Sequence, residues 1–335
     1  MSGGRHTCLV LEQGGVVRHL PEAQLDQLDR LAASPGTVVW LDIADPGSRD
    51  LELLQHELGL HALAIEDLQT RRQRPKIDTY RGHHVIVTYE VRDGKGRQRG
   101  TRHAAYDLGE IHLIASPRYL VSVHWGASPV VDDVAKRLDQ RASAIGHAVG
   151  AILYAILDAV VDGYFPLLDQ LSDRIDDLED EIVSGQQGPG TLREVLTIKR
   201  ELLELRRVLA PQRDVANRLL RRDIELLDDE AAPYYQDLYD HLVRVLDALD
   251  LYRDLVASTL DANLSVTSNT LNAVMKRLTA FTVVLMLPTL VASVYGMNFT
   301  ALPGLASPIA FWITMALMAV LMVGAAVYFR AMDWF

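Results

Sequence analysis

Two long stretches of hydrophobic residues without a charged side chain lie at the C-terminal end of the chain. They cover residues 278–295 and 309–329. Each is close to the roughly 20 residues that a helix needs to cross a bilayer. Because only residues 296–308 separate them, we expect a membrane hairpin of two transmembrane helices. Two buried helices of a soluble core are the less favoured alternative at these lengths.

The charges that flank the hairpin predict its orientation. Lys276 and Arg277 precede the first span and Arg330 follows the second, whereas the connecting loop has no lysine or arginine. Positive residues are retained on the cytoplasmic side of a membrane. We therefore expect a multi-pass protein of the cell (plasma or inner) membrane with both termini in the cytoplasm.

Residues 1–146 show a different pattern, in which short apolar runs alternate with turns. Runs rich in β-branched and aromatic residues predict strands, and apolar residues at helical spacing predict helices between them. The predicted strands are 37–43, 83–91, 110–116 and 119–125, and the predicted helices are 21–33, 47–58 and 128–143. The pattern indicates a cytoplasmic α/β domain, but it does not give the strand order.

Residues 147–232 are helical in pattern, with a break at the sequence GQQGPG (185–190). Acidic residues crowd positions 169–181 before the break, and basic residues recur over 193–222 after it. A short connection makes neighbouring helices antiparallel, so the opposite charges are expected to pair. Cation binding by the acidic stretch is the less favoured interpretation.

A single long helix is predicted next. Pro233 suits a first helical turn, no further proline occurs before Pro288, and no glycine occurs before Gly296. Residues 233–296 therefore predict a stalk helix on the order of 90 Å long that continues into the first transmembrane helix. The loop 297–308 follows, and residues 309–335 form the second transmembrane helix and a short tail. Such a rod needs packing partners, most simply copies of itself.

One stripe of this helix is small, polar or thioether-bearing and continues into the apolar span. Its members recur at steps of three and four, which places them on one face. They are Asp261, Ser265, Ser268, Asn272, Met275, Thr279, Thr282, Met286 and Thr289. Hydroxyl groups gain nothing from facing lipid, so the stripe favours a pore. The alternative is threonine and serine bonding to their own helix, with methionine filling gaps.

Charge and motifs narrow the function classes. Arg330 and Asp333 are the only charged residues after 277, so the formal net charge of -11 belongs to residues 1–277. That balance argues against nucleic acid as a partner and is compatible with attracting cations. Cys8 is the single cysteine, which excludes an intrachain disulfide and a cysteine-rich zinc site. Enzyme signatures such as a phosphate-binding glycine loop or HExxH are absent from the sequence.

The segment YGMNF (295–299), at the end of the first of two C-terminal spans, resembles the signature of the CorA magnesium transport family. Residues 268–279 and 286–298 resemble its pore, and residues 65–80 and 234–242 resemble its cytoplasmic and stalk segments. The resemblance implies an α+β membrane protein that forms a funnel-shaped homopentamer, with the stalk helices lining the pore.

The resemblance also implies roles for individual residues. Gly296, Met297 and Asn298 correspond to the selectivity signature, with Asn298 contacting the ion. Polar pore positions are Asp261, Asn272 and Thr289, and the hydrophobic constriction is Met275, Leu278 and Met286. Asp67 and Asp237 correspond to carboxylates that bind intracellular Mg²⁺ between subunits. The stripe adds Ser268, Thr279 and Thr282 to the expected pore lining.

The implied function is Mg²⁺ influx, with Co²⁺ or Ni²⁺ as further cations, gated by intracellular Mg²⁺. Two departures weaken the match: residues 299–308 carry no acidic side chain, and the tail has only Arg330 where relatives carry several basic residues. A zinc-transporting branch of the superfamily shares the architecture with a modified signature, so a zinc transporter is the alternative, although the intact GMN favours magnesium. A membrane-anchored cytoplasmic sensor or scaffold is the rival from another class.

Overall fold

The computed structural model describes residues 4–12, 16–94, 106–140, 148–185, 188, 190–221, 231–297 and 308–334. It divides into two compact units. The first comprises Met1–Glu179 and Gly188–Ala257, and the second comprises Asp180–Gln187 and Ser258–Phe335. The first unit contains the sheet, and the second contains the apolar helices of the C-terminal end.

Among the described residues, one mixed seven-stranded sheet has the order β2-β1-β3-β7-β6-β5-β4. The pair β3–β7 is parallel and the other neighbours are antiparallel. The strands are β1 (Arg5–Glu12), β2 (Val16–Leu20), β3 (Val38–Ala44), β4 (Lys76–Tyr80), β5 (His83–Asp93), β6 (Tyr106–Ala115) and β7 (Tyr119–His124). The predicted strands are thus confirmed as β3, β5, β6 and β7, whereas β1, β2 and β4 were not predicted.

The helices also follow the predicted order. A 3-10 helix at Glu22–Gln27 leads into α1 (Leu28–Ala33), and α2 (Ser48–Glu57), α3 (Ala62–Gln69) and α4 (Pro129–Gln140) follow. The long helices are α5 (Val149–Asp162), α6 (Phe165–Val183), α7 (Thr191–Leu220), α8 (Ala232–Tyr295) and α9 (Pro308–Ala331). The short helix α3 was not predicted from the sequence.

The two faces of the sheet carry different neighbours because side chains alternate along each strand. Val10, Leu41 and Val121 pack on one face with Leu54 of α2 and Leu68 of α3. Trp40 lies on the opposite face of the sheet, where its indole Nε1 donates to Ser122 Oγ at 3.0 Å. The central strands are therefore buried on both faces, which explains their nearly continuous apolar sequence.

Cys8 belongs to this core. Its side chain is 3% exposed, and burial raises the pKa of its thiol to about 12. A thiol held in its neutral form is a poor nucleophile, so Cys8 acts as a small apolar core residue.

Two ion pairs between α6 and α7 differ from the expectation. Arg174 of the acidic helix contacts Glu194 at 2.5 Å and Glu201 at 2.6 Å, and both glutamates belong to the basic helix. In both pairs α6 supplies the positive charge and α7 the carboxylate, whereas the prediction was the reverse. The reason is local: Arg174 is half-buried and Glu201 is buried on the facing sides of the two helices, whereas most of the other charges point outward.

In the part of the chain that the structure describes, three helical segments are long and apolar enough to cross a membrane. In Val149–Val183 half of the apolar window is buried within the chain, and α5 packs against β5, β6 and β7. The corresponding buried shares are 6% for Ala232–Tyr295 and 0% for Ile309–Ala331. The first segment, which comprises α5 and α6, therefore belongs to the core of the first unit, and the membrane spans are the end of α8 and α9, as predicted.

Candidate ion pathway and cation-binding sites

The predicted pore residues all lie on one helix and are exposed in the single chain. Helix α8 is continuous from Ala232 to Tyr295 and passes through Pro288. The exposed members of the stripe are Asp261, Ser265, Ser268, Asn272, Met275, Thr279, Thr282, Met286 and Thr289, and Leu278 beside them is exposed as well. Large exposed side chains such as Met275 (59%) and Met286 (56%) require neighbours outside the chain.

The stripe is separate from the face of α8 that is covered within the chain. Ala280 is fully buried, and Val283, Leu287 and Val291 are partly covered. At ~100° per residue, that face is centred roughly 130° around the helix from the stripe. The polar stripe is thus available to water or to another subunit.

Two threonines of the stripe have a specific hydrogen-bond geometry. Thr282 Oγ1 donates to the Leu278 carbonyl at 2.8 Å, and Thr289 Oγ1 donates to the Leu285 carbonyl at 2.7 Å. This is the local bonding considered as the alternative to a pore. This hydrogen bond uses only the hydroxyl proton of each threonine. The lone pairs of the hydroxyl oxygen can still accept hydrogen bonds from outside the helix.

The signature begins where α8 ends. The Gly296 amide donates to the Ala292 carbonyl at 2.9 Å and the Met297 amide donates to the Val294 carbonyl at 3.3 Å. A Cβ atom at position 296 would lie 3.2 Å from the Ala292 carbonyl oxygen, so glycine suits this close turn. Asn298 and the loop 299–307 lie outside the described residues.

Aromatic residues lie near both ends of α9. Phe311 and Trp312 are 60% and 71% exposed near its start, and Tyr328 is 59% exposed near its end. Positions 312 and 328 are about 24 Å apart along a helix axis. Aromatic side chains at such a separation are typical of the two interfaces of a bilayer.

Asp67, the first predicted regulatory carboxylate, lies in the last turn of α3. Its Oδ2 is 2.6 Å from Lys76 Nζ, and the same ammonium is 2.8 Å from Asp78 Oδ2 on β4. An open depression of about 380 Å³ surrounds the three groups and is bordered by Glu66 and Tyr80. Asp67 therefore has a cationic partner within its own chain.

The segment that joins α3 to β4 is held by Glu110 of β6. The Arg72 and Gln73 amides donate to its carboxylate at 2.6 and 3.1 Å, and Arg72 adopts a φ of 65°. Burial alone raises the pKa of Glu110, but its hydrogen bonds from His112 and these amides outweigh burial and lower the pKa below its usual value. A charged Glu110 thus fixes the geometry of Asp67 relative to Lys76.

Tyr80, which borders the same depression, stacks against two histidine rings. The Tyr80 ring lies 5.1 Å from His61 and 5.3 Å from His83, centroid to centroid. His83 is 3% exposed and its Nε2 makes no hydrogen bond within the described residues. Burial, followed by the charges of His84 and His61, lowers the pKa of His83.

This environment predicts a loss of stability in acid. Unfolded histidine takes up a proton near pH 6.5, whereas folded His83 resists it until lower pH. The free energy of unfolding should fall as pH drops from about 6.5 through the lowered pKa. The thermal midpoint of the purified protein should decrease from pH 7.5 to 5.5, and His83→Phe, which keeps the stacking, should reduce that decrease. The same change at exposed His56 is the control; an unaltered pH dependence in His83→Phe would contradict the assignment.

Asp237, the second predicted regulatory carboxylate, lies near a further group of ligand atoms. It is 3.7 Å from His241 one turn later on α8. One ligand atom each of Asp158, Asp162 and His241 lie within 4.8 Å of one another. Burial, followed by the charge of Asp162, raises the pKa of Asp158, whereas His241 lowers it. A cation at this position would relieve the repulsion between the carboxylates.

The structure thus gives the two predicted carboxylates different partners, Lys76 for Asp67 and His241 for Asp237. Sequence reasoning missed Lys76, Asp78, Asp158, Asp162 and His241. A signal for two of them was present, since Asp158 and Asp162 are acidic residues four positions apart in the otherwise apolar sequence VGAILYAILDAVVDGYF. Lys76 and Asp78 could not be paired with Asp67 until the hairpin β4–β5 was known.

Comparisons with known proteins agree with this architecture. A model of the CorA-like Mg²⁺ transporter proteins matches residues 35–330. The chain is 31% identical over 300 residues to the cobalt/magnesium transport protein CorA of Thermotoga maritima, covering 89% of this chain and 84% of the relative. It is 25% identical over 313 residues to the protein of the same name from Methanocaldococcus jannaschii, covering 92% and 95%.

A solved structure shares the fold over the full length. The complete structure of the CorA magnesium transporter from Methanocaldococcus jannaschii superposes with a TM-score of 0.83 at 22% identity and covers 100% of both chains. Together with the two C-terminal apolar helices and the match over residues 35–330, this assigns the chain to the CorA-like Mg²⁺ transporter family, as a divalent metal ion transporter of the membrane and not an enzyme.

Proposed function

We propose that the chain forms a homopentamer whose α8 helices surround a central pore for Mg²⁺ influx, with Co²⁺ and Ni²⁺ as further substrates. The observation that carries this proposal is the exposed polar stripe of α8, which runs into the apolar span away from the face covered within the chain. The names of two relatives, which specify cobalt and magnesium transport, support the choice of cation.

The chemistry of the stripe suits a hydrated ion. Mg²⁺ holds its waters tightly, and those waters present hydrogen atoms outward. Thr282 and Thr289 offer oxygen atoms whose own protons are already donated to the backbone. Rings of such acceptors, together with Asn272 and Asn298, bind the hydrated ion without removing its waters. Met275, Leu278 and Met286 close the narrow part of the pathway when the transporter is shut.

Both termini face the cytoplasm in this proposal, and Gly296, Met297 and Asn298 form the outer entrance. The supporting observation is the distribution of positive charge, with Lys276, Arg277 and Arg330 at one end of the spans and no basic residue in 296–308. Asp261 and Ser268 then line the cytoplasmic part of the pathway.

Intracellular Mg²⁺ regulates the pore in this proposal. It binds between Asp67 of one subunit and Asp237 of the next, and the cluster of Asp158, Asp162 and His241 adds ligands on the Asp237 side. Bound Mg²⁺ neutralises the carboxylates and favours the closed ring, and its loss lets them repel one another. Such a shift requires that the closed state binds Mg²⁺ more tightly than the open state.

A charge reversal at Asp237 tests the regulatory site. In Asp237→Lys, an ammonium replaces a carboxylate beside Asp158 and Asp162, so Mg²⁺ is repelled from the site. Added MgCl₂ should protect the variant from limited proteolysis much less than it protects the wild type. Measurement of the intact fraction against MgCl₂ concentration gives the difference.

Asp240→Lys is the matched control. Asp240 is also exposed on α8, where its carboxylate accepts a hydrogen bond from Gln236 at 2.9 Å. The same charge reversal there should leave protection by MgCl₂ within about twofold of the wild type. Full protection of Asp237→Lys would remove Asp237 from the regulatory site.

Ion flux into liposomes tests transport itself. Purified protein should conduct Mg²⁺, and parallel assays with Co²⁺ and Zn²⁺ give the order of preference. A zinc transporter of the same superfamily would conduct Zn²⁺ in preference to Mg²⁺, and an anchored sensor or scaffold would conduct none of the three. The absence of flux for every cation would overturn the proposed function.

A further inference from the structure

The ammonium of Lys76 occupies the coordination space of Asp67. Its Nζ lies 2.6 Å from Asp67 Oδ2 and 2.8 Å from Asp78 Oδ2. The three side chains are partly buried, with exposed fractions of 23% for Asp67, 32% for Lys76 and 40% for Asp78. One monovalent cation therefore bridges two carboxylates in the way that a bound metal ion would.

The position of Asp67 explains why a cation is held there. Asp67 lies in the last turn of α3, where the helix dipole disfavours negative charge. Its backbone carbonyl also accepts a hydrogen bond from Gln73 Nε2 at 2.6 Å, which fixes that turn. The ammonium of Lys76 lies within hydrogen-bond distance of both Asp67 and Asp78. The lysine thus serves as the counter-ion of Asp67.

The surroundings also admit a larger cation. The depression of about 380 Å³ is open to solvent, and a water molecule takes up about 30 Å³ in the liquid, so a divalent ion and its first water shell fit there. Lys76 has a flexible four-carbon stem and can swing its ammonium into solvent. Exchange of the ammonium for a divalent cation at Asp67 therefore requires no rearrangement of the backbone.

We propose that Lys76 is a tethered competitor for the Asp67 cation site, which raises the intracellular Mg²⁺ concentration needed to fill that site. The proposal rests on the regulatory role of Asp67 proposed above. An ammonium and a divalent cation compete for the same carboxylate oxygen, so each binding event must first displace Lys76. The lysine would thereby hold the transporter open until intracellular Mg²⁺ is abundant.

Neutralising the lysine tests this directly. In full-length Lys76→Met, the stem is retained and the charge is lost. The MgCl₂ concentration that gives half-maximal protection from proteolysis should fall about fivefold to twentyfold, the size expected from removing one nearby charge at a partly exposed site. Lys76→Arg keeps the charge and should stay within about twofold of the wild type. Lys76→Gln replaces Lys76→Met if the latter fails to fold, as judged by its elution volume and thermal midpoint without Mg²⁺.

Asp67→Asn separates failure of this inference from failure of the proposed function. It should raise the half-maximal MgCl₂ concentration, and the double variant Lys76→Met/Asp67→Asn should match Asp67→Asn alone. If Asp67→Asn behaves as the wild type, the proposed regulatory role of Asp67 and the inference about Lys76 both fall, whereas proposed Mg²⁺ transport is tested separately by flux. If Asp67→Asn shifts the midpoint but Lys76→Met does not lower it, Lys76 is only a structural ion-pair partner and this inference alone is overturned.

Discussion

The Asn298→Ala variant is expected to lose Mg²⁺ uptake completely while its oligomer stays intact. In the proposed pore, a ring of Asn298 amide oxygens accepts hydrogen bonds from the waters of the hydrated ion, and alanine offers no acceptor in their place. A ring contributes one acceptor per subunit, so a single substitution removes the whole site. Uptake into liposomes should fall by at least about a hundredfold, which corresponds to roughly 3 kcal/mol of lost stabilisation.

The matched control is Ser307→Ala, which also removes one polar side chain from the segment between the two spans. It should leave uptake within about twofold of the wild type, and both variants should elute at the wild-type volume. Normal flux through Asn298→Ala would show that Asn298 does not select the ion. Loss of the oligomer would assign Asn298 a structural role instead.

Removing the hydroxyl groups of Thr282 and Thr289 together is expected to reduce Mg²⁺ flux at least about tenfold. The double variant Thr282→Val/Thr289→Val keeps the side-chain shape but replaces two rings of oxygen acceptors with methyl groups. Each lost hydrogen bond to a charged, hydrated ion costs about 1.5–3 kcal/mol before relaxation. Flux should therefore fall although folding and assembly are retained.

A third threonine provides a chemically identical control. Thr314 of α9 donates its hydroxyl to the Ala310 carbonyl at 2.9 Å, the same local hydrogen bond that Thr282 and Thr289 make. Thr314→Val thus loses the same intrahelical bond on a helix outside the proposed pore lining. Its flux should equal that of the wild type. Equal losses in Thr314→Val and in the double variant would indicate a general effect on helix stability and would remove the stripe from the pathway.

The parts of the fold that sequence predicted are those with strong periodic signals. The spans, α8, and the buried strands β3, β5, β6 and β7 have long or continuous apolar patterns that few other structures produce. Strands β2 and β4 have five residues each and one buried side chain each, Leu20 and Ile77, so their existence depends on neighbours distant in sequence. Strand order depends on the same long-range pairing.

Some residues of the candidate sites could be predicted from the sequence, and others could not. The stripe of α8 could be predicted because helical geometry fixes which residues share a face. The partners of Asp67 and Asp237 could not, since Lys76 reaches Asp67 from a strand, and Asp158 and Asp162 approach His241 from another helix. Side-chain pairs between elements are set by packing, which the local pattern does not encode. The pairing of Arg174 of α6 with Glu194 and Glu201 of α7 was missed for the same reason.

Buried Cys8 has a practical consequence for testing the pathway. Because the chain has no other cysteine and this thiol is shielded in the core, the native protein is already a suitable background for maleimide labelling. Cysteines introduced one at a time along the stripe would then report which positions a water-soluble reagent reaches, without prior removal of a native thiol.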